Sequence, residues 1–236
     1  MPQGSVLGPK LFILYANDIV NVSKMLKCIL FADDTTLFYS GEHSVEVLRV
    51  VETELRQMSN WFNINKLSLN IEKTKLMIFG NKDKVNDVLI NIEGAKINRV
   101  NEIRFLGVII DDSLTWKSHI NAIKMKIAKT VAVLHKAKNC LDNKALNLLY
   151  NSLIVPYLTY CVEVWGSACK TSIQSIFILQ KRAIRIITRS KYTDPSNPLF
   201  LKLKLLKISE LVDSGMLQIM YKAHKKLLPI NLQDRF

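Results

Sequence analysis

The sequence predicts an α+β protein in which a mixed first part is followed by an all-helical second part. Up to about residue 112, short runs of β-prone apolar residues alternate with stretches of helical spacing, which predicts an antiparallel sheet with packed helices. Beyond that point the apolar residues keep a helical period. A content of 49 % hydrophobic and 22 % charged residues is typical of a globular protein. We therefore expect two parts, residues 1–112 and residues 113–236.

Two strand-like runs flank a pair of adjacent aspartates near the N-terminus. Ile29–Phe31 precedes Asp33-Asp34, and Thr35–Tyr39 follows, which predicts a tight β-hairpin with both aspartates at its tip. Asp is a common turn residue, so a solvated acidic turn is one interpretation. The favoured two-residue turns need a positive φ, however, which Gly or Asn meets more easily. Adjacent carboxylates also repel unless a cation neutralises them, and one or two carboxylates commonly bind Mg²⁺.

Helical spacing and strand-like runs place the other elements. The expected helices of the first part run over 9–20 and 44–62, with Ser44 as the N-cap of the second helix. The remaining expectations are a strand over 76–79, a hairpin whose turn is Glu93-Gly94, a strand over 104–110, and a helix from an N-cap at Thr115 to about Leu134.

The net charge of +13 lies almost entirely in the second half of the chain. Residues 1–114 contain 13 Lys and Arg against 14 Asp and Glu, whereas residues 115–236 contain 20 against six. A surface that binds phosphate backbones needs such an excess of cations. A generic basic surface that only aids solubility is the alternative. We expect the second half to bind nucleic acid.

The cysteines and the longest uncharged run bear on the cellular compartment. Cys28, Cys140, Cys161 and Cys169 form no CxxC pair and have no histidine at zinc-finger spacing. We therefore expect free thiols in a reducing intracellular compartment, the nucleus or the cytoplasm.

The uncharged run 145–162 has 18 residues, the length at which a membrane span must be considered. It contains a proline and several polar residues, so we expect a pair of buried helices and no membrane partner.

Four stretches of the sequence together resemble the motifs of a known enzyme family. Phe31-Ala32-Asp33-Asp34 is similar to the catalytic hairpin of reverse transcriptases, whose usual form is an aromatic residue, any residue, then Asp-Asp. Residues 2–19, 67–79 and 105–111 resemble other motifs of that family, in the same order along the chain. The resemblance is to reverse transcriptases of non-LTR (LINE-type, jockey-like) retrotransposons, and it continues through the helical half.

This resemblance implies a partial polymerase palm in residues 1–112, followed by a thumb-like helical region. It implies an RNA-directed DNA polymerase that takes an RNA template, a DNA primer and a dNTP. Asp33 and Asp34 would be catalytic and would bind Mg²⁺, with Mn²⁺ as the alternative ion. In this family an earlier strand supplies another metal-binding aspartate. We therefore expect the N-terminal portion of the polymerase, which is missing here, to be a partner of this chain.

The resemblance also implies contacts to the incoming nucleotide. Gln3, Gly4 and Ser5 match positions that contact the nucleotide or the template, and a flexible tail is the alternative. Lys73 matches the lysine thought to donate a proton to the leaving pyrophosphate. Lys75 is the second choice for this role, and a solvated surface lysine is the alternative.

Two further groups are expected to bind the nucleic acid itself. Phe105, Leu106 and Gly107 match the positions that grip the primer end, and an apolar sheet edge is the alternative. The basic helices of the second half match a thumb that lies along the duplex. The expected contacts there are Lys124, Lys181, Arg182 and Arg185. A second function stays open, a catalytically inactive remnant that binds RNA or DNA through its basic helical half.

Overall fold

A computed structural model describes residues 4–80, 90–92 and 94–233, which divide between two compact units. The first unit ends at Ile103 and the second begins at Arg104. The boundary predicted after residue 112 therefore lies inside the second unit. Helices and short strands are both present, which confirms the α+β class. The assignment of the two parts to a palm and a thumb stays a prediction.

In its described part, the first unit contains two α-helices joined to shorter elements. α1 spans Gly8–Ala16 and has a proline in its first turn, where no helical amide bond is lost. The chain then tightens into a 3-10 helix, Asn17–Asn21, so the helix predicted over 9–20 is α-helical only in its first part. α2 spans Ser44–Ile64 and confirms the second predicted helix. Its N-cap is His43 without a side-chain cap, so the predicted capping by Ser44 is wrong.

The strands of the first unit are short and pair two at a time. They are β1 (Lys27–Phe31), β2 (Asp34–Phe38), β3 (Lys75–Leu76), β4 (Asn91–Ile92), β5 (Ala95–Lys96) and β6 (Asn98–Arg99). β1 pairs antiparallel with β2, and β4 with β5, whereas β3 and β6 run parallel. The described residues therefore do not form the single antiparallel sheet that the sequence predicts. The strand predicted over 76–79 is reduced to β3, and part of the hairpin predicted around Glu93 lies outside the described residues.

A small core joins α2 to the strands of the first unit. Leu48 of α2 is buried together with Ile90, Ile92 and Ile97. Leu48 belongs to the apolar stripe that recurs at helical spacing along α2, and α2 packs against β4. The stripe thus forms core, as its spacing predicts.

A hairpin precedes the helices of the second unit. β7 (Glu102–Phe105) and β8 (Val108–Asp111) pair with each other, and Leu106 and Gly107 join them. The single strand predicted over 104–110 is therefore wrong. Leu106 has a φ of 44° and Gly107 a φ of 87°, the pair of positive values that a type I′ turn needs. The sequence signal for that turn is Asn-Gly or Asp-Gly, and Leu-Gly does not provide it.

Helices make up the rest of the second unit. They are α3 (Lys117–Ala137), α4 (Asn143–Leu153), α5 (Val155–Thr159), α6 (Val162–Trp165), α7 (Lys170–Thr188), α8 (Ser196–Leu203), α9 (Ile208–His224) and α10 (Ile230–Gln233). α3 packs along α7, and apolar side chains at helical spacing on both, such as Ile127 and Ile184, are fully buried. Trp165 at the end of α6 is fully buried in the same core.

The uncharged run 145–162 forms parts of three helices. α4 ends at Leu153, and Pro156 lies in the first turn of α5, which confirms the predicted break in the run. Proline suits this position because its missing amide donor would have no helical partner there. Within the described ranges, every helix is too short or too polar to be a bilayer-spanning segment.

Asp111, the last residue of β8, holds the turn that leads into α3. Its carboxylate accepts hydrogen bonds from the backbone amides of Ser113 at 3.2 Å, Thr115 at 2.9 Å and Trp116 at 2.8 Å. The N-cap residue of α3 is Trp116, so the predicted N-cap at Thr115 is wrong. Partial desolvation raises the pKa of Asp111, but the amide donors outweigh it and the pKa lies below its ordinary value of 3.8.

We expect Asp111 to make the stability of the second unit sensitive to acid. A carboxylate whose pKa is lowered on folding adds stability above its unfolded pKa, and this stability is lost as the pH falls through the folded pKa. Asp111→Ala should lower the free energy of unfolding by about 1 kcal/mol at neutral pH, because the backbone amides of the turn lose their hydrogen-bond acceptor. At roughly pH 2.5 the effect should be smaller. Urea unfolding at both pH values measures this, and a loss of equal size at both would contradict it.

Gln180 on α7 is fully buried and fully hydrogen-bonded. Its Nε2 donates to the Tyr150 hydroxyl at 2.9 Å and to the Leu206 carbonyl oxygen at 2.8 Å, and its Oε1 accepts from the Ile208 amide at 3.0 Å. Burial raises the pKa of Tyr150 to about 12, so its hydroxyl stays neutral. Gln180 thus joins α4, α7 and the start of α9.

Candidate active site

The β1–β2 hairpin carries both predicted catalytic aspartates. Phe31 pairs with Asp34, so Ala32 and Asp33 are the two turn residues. The predicted tight hairpin is confirmed, but its tip is Ala32-Asp33, because Asp34 already belongs to β2. Ala32 has a φ of 51°, which is uncommon for a residue with a Cβ. Backbone strain of this kind clusters at active sites and ligand clamps.

Both aspartates are exposed, and among the described residues their carboxylates have no hydrogen-bond or ion-pair partner. Two carboxylates on neighbouring residues suit a hard divalent cation, which takes oxygen ligands. Within the described ranges, no group of three His, Cys, Asp or Glu residues could hold a metal ion. Asp33 and Asp34 thus offer two carboxylate ligands at an open hairpin tip.

The segment before α1 carries the predicted nucleotide contacts. Gly4 is exposed with a φ of 88°, and a Cβ added there would meet no atom within 4 Å. Ser5 is half-buried. Gln3 lies outside the described residues. The open space around Gly4 leaves room for a base or phosphate to approach the backbone closely.

α1 and the β1–β2 hairpin expose many apolar side chains. No residue of α1 is buried, although the helix is strongly apolar. The Tyr15 hydroxyl donates to the carbonyl oxygen of Asn65 and so ties α1 to the end of α2. Exposed apolar residues are candidates for an interaction site where they lie side by side. We call the following exposed residues the apolar face: Leu11, Ile13, Leu14, Ile29, Phe31 and Phe38.

Lys73 lies in a hydrogen-bonded turn just before β3. Its backbone amide donates to Asn70 Oδ1 at 3.1 Å, and its side chain is exposed. The Thr74 hydroxyl donates to the Asn70 carbonyl oxygen at 2.9 Å, which holds the end of the turn. Lys75 is half-buried in β3. Among the described residues, no ion pair joins either lysine to Asp33 or Asp34.

The predicted primer grip coincides with the turn of the β7–β8 hairpin. Phe105 and Leu106 are half-buried, and Gly107 is exposed. The Tyr160 hydroxyl donates to the Leu106 carbonyl oxygen at 2.5 Å, across a separation of 54 residues. Sequence reasoning missed Tyr160, because no local pattern indicates a contact between positions so far apart.

Three of the four predicted nucleic-acid contacts present their charge at the surface of the second unit. Lys124 on α3 and Arg182 on α7 are exposed. Lys181 is half-buried, with its Nζ 4.8 Å from the centroid of the Phe177 ring, which makes a cation–π contact. These side chains are available to meet phosphates.

Arg185 is engaged inside the protein. Its Nε and Nη2 donate to the Asp194 carbonyl oxygen at 3.2 and 2.9 Å, and its guanidinium lies 5.5 Å from the centroid of the Tyr192 ring. Arg189, which follows in the same basic stretch, donates to the carbonyl oxygens of Lys138 and Leu141, each at 3.1 Å. Two of the cationic side chains in this stretch therefore donate hydrogen bonds to loop carbonyl oxygens within the protein. The composition alone does not reveal this.

Comparison with known proteins shows what the chain is similar to. Residues 1–110 match the protein family described as reverse transcriptase (RNA-dependent DNA polymerase). The matched range contains the aspartate hairpin, Lys73 and the turn of the β7–β8 hairpin, and the predicted resemblance is confirmed. Enzymes of this family generally use divalent metal ions.

Retrotransposon reverse transcriptases resemble the helical half of the chain as well. The chain is 28 % identical over 214 residues to the probable RNA-directed DNA polymerase from transposon X-element of Drosophila melanogaster, which covers 87 % of this chain and 23 % of that protein. It is 26 % identical over 240 residues to the RNA-directed DNA polymerase from mobile element jockey of Drosophila funebris, covering 96 % of this chain and 25 % of that protein.

A third relative is the retrovirus-related Pol polyprotein from type-1 retrotransposable element R1 2 of Nasonia vitripennis. It is 26 % identical over 179 residues, which cover 72 % of this chain and 44 % of that protein. This chain spans about a quarter of the length of the X-element and jockey polymerases. No solved structure matches it.

Proposed function

We propose that this chain is part of an RNA-directed DNA polymerase of a non-LTR retrotransposon and that its β1–β2 hairpin lies at the site of nucleotidyl transfer. The observation that carries the proposal is the pair of exposed carboxylates at the strained tip of a hairpin inside the matched reverse transcriptase range. In this reaction the 3′-hydroxyl of a DNA primer attacks a dNTP in line, on an RNA template.

Asp33 and Asp34 would hold Mg²⁺ or Mn²⁺, since their oxygens are the ligands that hard cations prefer. A bound divalent ion supplies charge stabilisation for the attacking and leaving oxygens. Lys73 protonates the leaving pyrophosphate, and its full exposure leaves the ammonium free to move toward it. Lys75 is the second choice because it is half-buried in β3.

Two further groups of residues, one in each unit, position substrates. Gln3, Gly4 and Ser5 contact the nucleotide or template, and the open backbone at Gly4 supports this role. Phe105 and the Leu106-Gly107 turn hold the primer end.

A further partner is the portion of the polymerase that lies outside this chain. The X-element and jockey polymerases are about four times as long as this chain, so they contain polypeptide that could cover the apolar face. Burial of apolar area favours such docking at about 25 cal/mol per Å². We propose that this portion packs on the apolar face and supplies the remaining metal ligand.

The basic helical half binds the primer–template through its phosphates. Lys124 on α3 and the Lys181-Arg182 pair on α7 supply the cations. Arg185 binds a phosphate only if its hydrogen bonds to the Asp194 carbonyl oxygen break first. Contacts to the phosphate backbone do not depend on the nucleotide sequence, and they weaken as the salt concentration rises.

Lys124→Gln combined with Arg182→Gln should reduce the salt dependence of primer–template binding. Each lost phosphate contact lowers the slope of log K against log salt by about 0.7 to 0.9. Fluorescence anisotropy over a salt series measures the slope. Lys96→Gln, at an exposed lysine of β5 in the first unit, is the matched control and should leave the slope unchanged. An unchanged slope in the double variant would contradict the assignment.

A second candidate function is a catalytically inactive remnant that binds RNA or DNA through its basic half. The observation that favours it is the concentration of the charge, with 20 Lys and Arg against six Asp and Glu in residues 115–236. Primer extension on an RNA template, with dNTPs and Mg²⁺ and with binding measured in parallel, separates the two. Extension that requires the metal supports the polymerase. Salt-sensitive binding without extension supports the remnant, and the lack of both overturns both proposals.

A further inference from the structure

The turn of the β7–β8 hairpin is held in a conformation that needs support. Leu106 lies in the left-handed region with a φ of 44°. This conformation is unfavourable for an L-residue with a Cβ, which comes too close to the following carbonyl oxygen. Strained residues of this kind persist only where their surroundings fix them.

Tyr160 supplies the contacts at this turn. Its hydroxyl donates to the Leu106 carbonyl oxygen. Its ring also lies against Gly107, where an added Cβ would be 3.4 Å from Cε1 and 3.7 Å from the hydroxyl oxygen. Glycine suits this position because it accepts a φ of 87°, whereas an added Cβ would make only an ordinary contact with the tyrosine ring.

Tyr160 is itself fixed by the core of the second unit. The indole Nε1 of Trp165, which is fully buried, donates to the Tyr160 carbonyl oxygen at 2.9 Å. The next residue, Cys161, has a φ of 50°, so the chain turns sharply between α5 and α6. The hydrogen bond from the buried Trp165 therefore fixes the backbone at Tyr160, and the tyrosine ring lies against the turn of the hairpin.

A second attachment lies along β8. His119 of α3 is only 5 % exposed, and its Nδ1 accepts a hydrogen bond from the Ile109 amide at 3.2 Å. Its ring meets Trp165 edge-on, with centroids 5.8 Å apart. Burial and two nearby positive charges lower the pKa of His119, which favours the neutral form that this bond requires. Asp111, at the end of the same strand, accepts hydrogen bonds from the turn that leads into α3 and makes the third attachment.

We infer that Tyr160 is a positioning residue, which holds the Leu106-Gly107 turn in fixed geometry against the helices of the second unit. This inference rests on the proposed function, in which that turn holds the primer end. Because the hairpin is attached at its turn, along β8 and at its end, it moves with α3 as one body. α3 also carries Lys124, so the surface that binds the duplex and the turn that aligns the primer terminus keep their spacing.

Hydrogen exchange tests the attachment without relying on catalysis. Tyr160→Phe removes only the hydroxyl and should make amide exchange over residues 105–109 about tenfold faster, the effect of losing one hydrogen bond. Amides of α3 and α7 should exchange as before. Tyr157→Phe is the matched control. Tyr157 lies in α5, just before Tyr160, and its ring centroid lies 5.0 Å from Lys126 Nζ, so the turn should not respond to this change. Unchanged exchange over 105–109 in Tyr160→Phe would overturn the inference.

Single-nucleotide extension tests the positioning role. Tyr160→Phe should lower kcat about tenfold and leave the Kd for primer–template unchanged, because affinity comes from the basic surface. Equal losses in kcat and affinity, or no loss in either, would mean that Tyr160 acts only on the fold. If the unsubstituted chain does not extend primers, the proposed function fails, and the exchange measurement still decides whether Tyr160 fixes the turn.

Discussion

Asp33→Asn and Asp34→Asn should each reduce Mg²⁺-dependent primer extension by roughly a hundredfold or more. Each substitution replaces a charged metal ligand with a neutral amide, and a bound metal contributes several kcal/mol of charge stabilisation in the transition state. Both side chains are exposed, so folding should be unaffected. Extension rates with saturating dNTP, measured on equal amounts of folded protein, give the effect.

Binding provides the internal control for these two variants. Affinity for primer–template should be nearly unchanged, because the cations that we assign to binding lie on α3 and α7 of the second unit. Glu42→Gln removes one exposed negative charge just after β2 and should keep full extension activity. Unimpaired extension in Asp33→Asn, or an equal loss in Glu42→Gln, would refute the assignment of the hairpin.

Gln180→Met should destabilise the second unit by about 3 kcal/mol. The substitution preserves the size of the side chain but leaves the Tyr150 hydroxyl, the Leu206 carbonyl and the Ile208 amide without their partner. Each buried polar group that loses its hydrogen bond costs about 1–3 kcal/mol, and partial relaxation reduces the sum. Urea unfolding followed by hydrogen exchange on α4 and α7 amides measures the loss in this unit.

Gln174→Met is the matched control for that measurement. Gln174 lies on the same helix, α7, but its side chain is exposed, so the same chemical change should alter stability by less than about 0.5 kcal/mol. Similar losses in both variants would mean that the effect comes from the helix and that the buried hydrogen bonds of Gln180 contribute little.

Local patterns in the sequence predict the elements that local forces determine. The alternation around Asp33-Asp34 predicts the β1–β2 hairpin, and the stripe containing Leu48 predicts α2 and its buried face. The tip of the hairpin is displaced by one residue, because Ala32 takes the left-handed conformation that Asp was expected to provide. Propensity alone does not show which residue of a turn carries the strain.

Tertiary contacts explain what the sequence does not predict. Leu106-Gly107 lacks the usual hairpin signal, and its conformation is supported by Tyr160, 54 residues away. Asp111 of the preceding strand holds the turn before α3, and the N-cap is Trp116 rather than Thr115. Gln180 looks like part of a basic surface stretch, yet it bonds Tyr150, 30 residues away, in the core. Such pairings depend on how helices pack, which no local pattern records.

Binding of Mn²⁺ to this chain, followed by NMR, tests the assignment of the β1–β2 hairpin most directly. Mn²⁺ takes the same oxygen ligands as Mg²⁺ and broadens the signals of nearby nuclei. We predict that the amide signals of Ala32, Asp33, Asp34 and Thr35 broaden first, and that the Asp33→Asn, Asp34→Asn double variant loses this effect while Glu42→Gln keeps it. Broadening that starts elsewhere, or that persists in the double variant, would contradict a metal-binding hairpin.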